Sequence, residues 1–531
     1  MLLKLSRKII GLSFIVCIIG LISWQLLSHP KRELTTLHLM HTNDLHAHLI
    51  PFHPDNRSCD YEQSACLGGF ARLKSIIDSY RQHHPDLILL DAGDRFSGTV
   101  FYSLRKGKDI IHLMNQMQYD AMTLGNHDFD DGLTEIEKMM LSVQAPIIVA
   151  NVSFPEDSPL SEQIKSSILI ERNGQKIGII GALTEDVKIE TAFAKEIELK
   201  PLTQAIQEEI NRLKKQNVKI IILLSHIGFD SDKKLAGQLT DIDLIVGGHS
   251  HTLLSNQPDE ITSRGSYPTV IYNQNNQPVL IVSAGIGGQY IGQLEISFDD
   301  SGHIISYNGD TIRVDSKSRI DAQMRREIEI IEQDMNTDLT ELLTTASIPV
   351  SLTPNQLFCS ESCYVGEVLT SLMLKAVPEA EMAFLNAGGI RAGFPQGEIH
   401  YQQLIQSYPF DSTGVLVSLS GKEIEFYIEH GLKEYTPDDR TNAFLQTAGL
   451  SYTFNPETKK AVSVLYQNKP LDPNRIYRVI MPSFIAQGGD GYPEQSNIQL
   501  ISESIRTLLT KAMQNQTYQI PPFDNRIRKV F

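Results

Sequence analysis

Asp, His and Asn residues occur in five short motifs in the first half of the chain, and each motif follows an apolar run. Carboxylate, imidazole and amide ligands without a thiolate favour a divalent ion such as Zn²⁺ or Mn²⁺ over copper or an iron–sulfur cluster. The sequence therefore predicts a metal site. The candidate ligands are Asp44, His46, Asp94, Asn126, His226, His249 and His251.

The number of candidate ligands predicts two ions that share one of them. We expect Asp94 to bridge the ions. A pair of divalent ions roughly 3.5–4 Å apart stabilises both the attacking and the leaving oxygen of an in-line phosphoryl displacement, so the predicted chemistry is phosphoester hydrolysis. The other ligands divide into Asp44, His46 and His251 for one ion and Asn126, His226 and His249 for the other.

His127 directly follows Asn126, and Asp130 comes shortly after it. An Asp at this spacing can accept the second ring proton of His127, which fixes the imidazole tautomer and favours the cationic ring. A cationic His127 would stabilise transition-state oxygens and protonate the leaving alkoxide. We predict that His127 and Asp130 form a catalytic pair.

The apolar runs predict β-strands that end at the motifs. Strand ends on one edge of a parallel sheet face a common crevice, where ligands bind in open α/β sheets. Together with alternating helices, the strands predict a layered α/β domain over residues 35–315. The strand-and-motif segments are 36–48, 86–94, 119–130, 218–226 and 241–251, with further strands at 146–152 and 176–183. The helical stretches are near 70–82, 106–117, 133–143 and 202–216.

A connecting segment over residues 316–346 separates this domain from a second, smaller α/β domain over residues 347–531. Residues 318–346 contain neither Gly nor Pro, and their apolar residues fall at helical spacing among charges, which predicts one long helix. The second domain has predicted strands of its own at 381–389, 413–421 and 477–486.

The N-terminus predicts export. Basic residues precede an uncharged stretch over residues 9–27, and such a helix, at about 1.5 Å per residue, would span roughly 28 Å, close to the ~30 Å hydrocarbon core. The basic flank would leave the N-terminus in the cytoplasm and the rest of the chain outside. Within residues 1–30 we predict an uncleaved signal anchor, with a removed signal peptide as the alternative. The protein would then be periplasmic or on the cell surface.

Cysteine spacing agrees with export. Cys59 with Cys66, and Cys359 with Cys363, suit short-loop disulfides in an oxidising compartment. Both spacings match the ligand pairs of a zinc finger poorly. The net charge of −16 argues against a nucleic-acid partner, whereas bound divalent cations would invert the local field for an anionic substrate. The sequence predicts no particular oligomeric state.

The motifs in combination resemble a known family over residues 36–530. The first half is similar to the calcineurin-like metallophosphoesterases, and the second half to the 5′-nucleotidase/UDP-sugar hydrolase family. The resemblance implies a metallophosphoesterase α/β sandwich followed by a nucleotide-binding domain, with domain rotation that delivers the substrate to the metals. The similar blocks are 41–48, 68–72, 91–98, 125–132, 225–229 and 247–252 in the first half, and 386–391, 408–411, 444–446 and 487–491 in the second.

The resemblance also implies a substrate site in the second domain. Two aromatic rings would sandwich the base, and stacking tolerates any base because every base has a π-face. The matching residues are Phe410 and Phe484 for the sandwich, Asp490 for the ribose hydroxyls, Asn386 for the base and Arg391 for the phosphate.

Two positions depart from the family pattern. Another phosphate-binding arginine of the family is missing from residues 359–363, and Glu367 stands where the family has Asn. A serine or glutamate cannot replace a guanidinium clamp. We therefore expect weaker phosphate binding or a shifted substrate range.

The expected function is metal-dependent hydrolysis of nucleoside 5′-monophosphates to nucleoside and phosphate. A UDP-sugar pyrophosphatase or a 2′,3′-cyclic nucleotide phosphodiesterase is an alternative that the same metal pair would support. A surface nucleotide-binding protein without turnover is a further alternative. The pair of His127 and Asp130 argues against the last, because a binding protein has no need of a leaving-group acid.

Overall fold

Three of the five motifs follow strands of one six-stranded sheet. Four adjacent strands of this sheet are parallel, and the two remaining strands pair antiparallel along one side. The loops after Thr42, Asp91 and Thr123 therefore leave the sheet at the same edge. The strand order is Ile304–Arg313, Tyr290–Phe298, Thr35–Thr42, Ile88–Asp91, Ala121–Thr123 and Ile147–Ile148.

A second six-stranded sheet supplies the other two motifs. Its four central strands are parallel, and an antiparallel strand flanks them on each side. One motif begins at His226, the last residue of its strand, and the other follows Gly247. The strand order is Thr269–Tyr272, Pro278–Val282, Leu244–Gly247, Ile220–His226, Gln175–Leu183 and Ser167–Arg172.

The two sheets stack around a shared aliphatic core, to which Leu39, Leu90, Ile222 and Leu244 contribute. Helices cover the outer faces, so the parallel strands are buried on both faces, which explains their continuous apolar runs. The predicted layered α/β sandwich is confirmed. The longer helices are Phe70–His83, Val100–Arg105, Lys108–Asn115 and Leu133–Met140 by the first sheet, and Leu202–Lys215 and Phe229–Gln238 by the second. The short elements are helix Leu160–Gln163 and strands Val152–Ser153 and Glu198–Leu199.

Helix Ala322–Leu339 leads out of this domain, and its apolar side packs into the first domain's core through residues such as Met324 and Ile328. The prediction of one helix over 318–346 was wrong at the C-terminal end of that range. Strand Leu342–Ala346 follows instead and pairs antiparallel with Gly397–His400. Its threonines are β-branched and favour extended backbone, and the partner strand supplies the hydrogen bonds of the ladder.

The second domain is built on a mixed five-stranded sheet and a four-stranded sheet around one core. The five-stranded order is Leu445–Ala448, Met382–Asn386, Ile476–Pro482, Thr413–Ser420 and Ile498–Ser504. The four-stranded order is Lys469–Pro470, Lys460–Tyr466, Leu450–Asn455 and Ile527–Lys529. The helices are Tyr364–Ala376, Tyr401–Ser407, Gly421–Leu432, Ser483–Ala486 and Ile505–Gln514. Two predicted strands end early because short helices, Ala387–Gly389 and Ser483–Ala486, follow them.

Both predicted disulfides form, Cys59 with Cys66 and Cys359 with Cys363. Glu367, close to the second disulfide, is buried and accepts hydrogen bonds from the Ser362 hydroxyl at 2.9 Å and from two backbone amides of the C-terminal segment, those of Asp524 and Arg526, both at 2.8 Å. The carboxylate therefore holds the C-terminal segment against the disulfide loop.

This computed structural model describes residues 34–530 apart from 54–58, 60, 64, 188–196, 258–259, 261, 353–358, 360–361, 411, 434, 436–440 and 515–518. The predicted anchor at residues 9–27 lies outside the described residues. Within the part that is described, no helix combines the length and apolarity needed to cross a bilayer.

Candidate metal and substrate site

The loops after the parallel strands converge through unusual backbone conformations. Five of the seven candidate ligands have positive φ angles. A non-glycine residue in this region is uncommon and costs on the order of 1–3 kcal/mol, and such residues concentrate at functional sites. The ligands concerned are Asp44 at 49°, His46 at 44°, Asp94 at 54°, His249 at 75° and His251 at 53°.

Asp94 lies at the centre of the ligand set. Its Oδ1 accepts a hydrogen bond from the His127 backbone amide at 2.9 Å. Its Oδ2 is buried and has no hydrogen-bond donor among the described residues. This oxygen lies 3.6 Å from His46 Nε2 and 3.3 Å from His226 Nε2. The carboxylate thus faces both groups of ligands, as a bridging ligand would.

The first group of ligands gathers tightly around this oxygen. One ligand atom from each of Asp44, His46, Asp94 and His251 lies within 4.8 Å of the others. His46 Nε2 and His251 Nε2 are 3.1 Å apart, close to the roughly 3.3 Å expected of two nitrogens bound to one tetrahedral ion at about 2.0–2.1 Å. The residues present therefore fit a divalent ion.

The second group converges on the side-chain oxygen of Asn126. Asn126 Oδ1 lies 3.1 Å from His226 Nε2 and 2.9 Å from His249 Nδ1. His226 Nδ1 is 2.6 Å from the Ala92 carbonyl, which can only accept, so Nδ1 carries a proton and Nε2 is the ring nitrogen left to bind a metal ion. His226 Nε2 therefore lies close to two oxygens, Asn126 Oδ1 and Asp94 Oδ2, and these three atoms suit a divalent ion that displaces the Nε2 proton.

The buried charges of the site favour a cation in the same place. Burial raises the pKa of Asp44 to about 7, and the charge of Asp94 acts in the same direction while that of His226 opposes it. Burial disfavours a charged His226, but Asp94 and Asp44 raise its pKa to about 10. Burial lowers the pKa of His249 to about 3. A divalent ion bound here would take the place of the Asp44 proton and the second His226 proton as the positive charge beside Asp94.

His127 and Asp130 lie together at the rim of this site. His127 Nδ1 is 2.9 Å from Asp130 Oδ2, and its ring centroid is 5.4 Å from that of His46. Burial opposes the charged ring, but Asp130 and Asp94 raise the pKa of His127 to about 9. The Ser97 hydroxyl donates to Asp130 Oδ2 at 2.6 Å. The sequence reasoning missed Ser97, which only its place in the Asp94 loop could have suggested.

A cavity of about 230 Å³ lies between the two domains and includes part of this site. Every residue that the family resemblance assigns to the substrate lines the cavity, opposite candidate metal ligands. The lining residues of the first domain include Asp94, Asn126, His127, His249 and His251, and those of the second include Asn386, Arg391, Phe410, Phe484 and Asp490.

Polar contacts fix the second domain's side of the cavity. Asn386 Nδ2 donates to Asp490 Oδ2 at 2.7 Å. Asp490 has a φ of 52°, and its carbonyl lies 2.8 Å from His430 Nε2. The guanidinium of Arg391 lies 5.1 Å from the ring centroid of Phe410, which places a cation beside the candidate base site.

Two further cations that the sequence analysis did not select line the same cavity, Lys106 and Arg506. Lys106 Nζ is 2.9 Å from Asp131 Oδ2. Arg506 is buried and donates to the Pro409 carbonyl at 3.1 Å. Of the segment that lacks the family arginine, residues 360–361 lie outside the described part of the chain.

Comparisons with known proteins agree along the length of the chain. Residues 37–253 match the family model for calcineurin-like phosphoesterases, and residues 345–496 match the one for the 5′-nucleotidase C-terminal domain. A 5′-nucleotidase of Homo sapiens is 31% identical over 505 residues, which cover 89% of this chain and 86% of that protein. An apyrase of Tabanus yao is 31% identical over 482 residues, which cover 86% of this chain and 86% of that protein. The crystal structure of a 5′-nucleotidase precursor from Thermus thermophilus is 29% identical, with a TM-score of 0.83 over 93% of this chain and 99% of that chain.

Proposed function

Because the chain belongs to the 5′-nucleotidase family of calcineurin-like phosphoesterases, and is thus a phosphoric ester hydrolase, we propose that it converts nucleoside 5′-monophosphates to nucleoside and phosphate. The observation that carries this proposal is the shared cavity. It places the candidate ligand Asp94 and the dyad residue His127 opposite Phe410, Phe484 and Asp490. A nucleotide bound there would present its phosphate to the first domain and its nucleoside to the second.

We infer two divalent ions, Zn²⁺, Mn²⁺ or similar, held by the two ligand groups and shared through Asp94. Such a pair supplies Lewis-acid stabilisation of phosphoryl oxygens and activates water. The support for sharing is that Asp94 Oδ2 is buried, lacks a hydrogen-bond donor among the described residues and faces imidazoles of both groups.

The residues of the chain would divide the remaining tasks. His127, kept cationic by Asp130, would donate its Nε2 proton to the departing 5′ oxygen. Arg391 would neutralise the phosphate, and Asp490 would accept hydrogen bonds from the ribose hydroxyls. Phe410 and Phe484 would hold the base by stacking, at roughly 1–3 kcal/mol for each aromatic contact. The proton donor and the base site therefore lie in different domains.

Cleavage of a phosphoanhydride, as in a UDP-sugar, is a second candidate for this site. The observation that favours it is the presence of Lys106 and Arg506 in the cavity in addition to Arg391. Additional cations can neutralise a second phosphate. The relative named as an apyrase has the same identity, 31%, as the human 5′-nucleotidase, so each candidate has a relative of equal similarity.

Phosphate release from a set of substrates tests the proposal. We would incubate the purified protein with Mn²⁺ or Zn²⁺ and with AMP, UMP, UDP-glucose or a 2′,3′-cyclic nucleotide, and identify the products by chromatography. The expected result is nucleoside and phosphate from a 5′-monophosphate, and none from the Asp94→Asn variant. Exclusive formation of UMP and a sugar phosphate from UDP-glucose would favour the second candidate. Nucleotide binding without any product would contradict both.

We also propose an extracytoplasmic location. The two disulfides support it, because such bonds persist in oxidising compartments. Protection of the folded domains from protease in cells whose outer membrane has been permeabilised, with the cytoplasmic membrane intact, would contradict this location.

A further inference from the structure

Arg95 directly follows Asp94 and is 1% exposed. Its guanidinium lies between two buried carboxylates. Nη1 donates to Asp128 Oδ2 at 2.9 Å, and Nη2 lies 3.3 Å from Asp91 Oδ1. Nη2 also donates to the backbone carbonyl of Thr123. One side chain thus contacts three hydrogen-bond acceptors. These acceptors cannot bond to one another, because none of them carries a hydrogen to donate.

The three partners belong to two neighbouring strands and the loop that follows the second of them. Asp91 is the last residue of the strand that precedes Asp94. Thr123 ends the neighbouring strand, and Asp128 lies just beyond Asn126 and His127. Arg95 therefore ties the loop that carries the proposed bridging ligand to the loop that carries Asn126 and the dyad histidine.

The carboxylates extend this link into the backbone. Asp128 Oδ2 also accepts the backbone amide of Gly125 at 2.9 Å. Asp91 Oδ2 accepts the hydroxyl of Thr42 at 2.7 Å, and Thr42 ends the strand that leads to Asp44. The ends of three adjacent strands are consequently held in one network with Arg95 as its only cation among the described residues.

The two loops approach each other too closely to tolerate a shift. A Cβ at Gly125 would lie 2.0 Å from Asp94 Oδ1. That same oxygen accepts the His127 amide at 2.9 Å. Ligands must be held within about 0.5 Å of their working geometry, and outer residues that orient them contribute roughly 10–100-fold in metal affinity or activity.

We propose that Arg95 is a positioning residue that sets the affinity of the site for its divalent ions. It does so by fixing the position of Asp94 relative to Asn126. The inference rests on the proposed function, since it takes these residues as metal ligands. A planar guanidinium bonds two carboxylates and a carbonyl at once, whereas an ammonium group has no such fork. Binding of the ion proposed at Asn126, His226 and His249 would depend most on this relative position.

The test compares Arg95→Met with a matched control, Arg72→Met. Arg72 is also fully buried in the first domain, but it donates to backbone carbonyls of the disulfide loop, including that of Cys66 at 2.9 Å. Competition with a chelator measures Mn²⁺ affinity and stoichiometry, and thermal unfolding of the metal-free proteins measures stability. Arg95→Met should bind one of two ions roughly 10–100-fold more weakly. Arg72→Met should lose stability and keep the affinity of the unaltered protein.

Turnover separates positioning from general damage. Excess Mn²⁺ should restore the kcat of Arg95→Met, with the KM for the nucleotide unchanged. Arg95→Lys, which keeps a charge, should bind Mn²⁺ more tightly than Arg95→Met and more weakly than the unaltered protein, and it serves alone if Arg95→Met does not fold.

Three outcomes are decisive against the inference. Unchanged Mn²⁺ affinity in Arg95→Met, or in Arg95→Lys where only that variant folds, overturns the inference and leaves the proposed function standing. Equal loss of affinity in Arg95→Met and Arg72→Met overturns it as well. An unaltered protein that binds no divalent ion overturns the proposed function and this inference with it.

Discussion

The ring centroids of His127 and Phe410 lie 6.3 Å apart, although one residue belongs to the metallophosphoesterase domain and the other to the C-terminal domain. The contact brings the candidate proton donor beside the candidate base site. It is supported by a hydrogen bond across the same boundary, from the Ser103 hydroxyl to the Pro409 carbonyl at 2.8 Å. The candidate proton donor and the candidate nucleoside site therefore meet at the domain boundary.

Replacement of Phe484 by Ala should weaken binding of nucleotides only. Loss of one base–aromatic stack, worth roughly 1–3 kcal/mol, should raise the KM for AMP by about 5- to 150-fold. Hydrolysis of p-nitrophenyl phosphate, which has no base, should stay almost unchanged. Phe523→Ala is the control, because Phe523 is exposed and contacts Tyr364 away from the cavity. A matched loss on both substrates would show that Phe484 is a packing residue.

Activity should require divalent metal and should depend on Asp94 most strongly. As the proposed shared ligand, Asp94 would contact both ions, whereas His251 would contact one. Chelation should abolish turnover, and Asp94→Asn should lose more activity and more bound metal than His251→Ala. Metal analysis of the purified variants, alongside phosphate release, measures both effects. Full activity after complete removal of metal would refute the two-ion site.

Replacement of His127 by Ala should act on the chemical step. Loss of a positioned general acid should lower kcat for AMP by roughly 10²–10⁴-fold. The loss should be smaller for p-nitrophenyl phosphate, whose leaving group needs no proton. Metal content should remain near that of the unaltered protein, because His127 is not among the proposed ligands. Equal losses on both substrates would argue against proton donation to the leaving group.

Asp232 should make the first domain less stable as the pH rises. Burial raises the pKa of Asp232 to about 7, while the hydrogen bond from Ser225 and the charge of His226 oppose the shift. The unfolded value is about 3.9, so the folded protein holds this proton more tightly and the free energy of unfolding falls between about pH 4 and pH 7. The Asp232→Asn side chain can still accept the hydrogen bond from Ser225. It does not titrate, so the variant should not lose this stability as the pH rises.

Denaturant unfolding of metal-free protein at several pH values measures the effect. The advantage of Asp232→Asn should be small at pH 4 and grow to the order of 1–4 kcal/mol at pH 8. Asp230→Asn is the control, because Asp230 is an exposed residue of the same helix. An advantage that does not change with pH would contradict the assigned cause.

Sequence reasoning located the candidate ligands because their pattern is local. Each apolar run encodes a strand buried on both faces, and the ligand follows within a few residues, as at Asp94 and His226. Arg95 and Ser97 were missed because each looks like an ordinary loop residue in the sequence. Their partners, Asp128 and Asp130, come from another segment and contact them only in the folded chain. The helix at Leu339 ended earlier than predicted for a related reason, since its continuation pairs with Gly397–His400. Long-range pairing is what the local pattern does not encode.

The cavity between the domains also has a thermodynamic consequence. A ligand that fills it touches both domains, so its binding energy is lost when either domain unfolds. At 100 times its Kd such a ligand contributes about 2.7 kcal/mol to the native state. Each domain is built mainly around its own core, although Ile405 of the second domain packs into the core of the first. We expect the two domains to melt in separate steps without a ligand and together with the cavity filled. In a calorimeter, a nucleotide analogue would then turn two overlapping heat-absorption peaks into one.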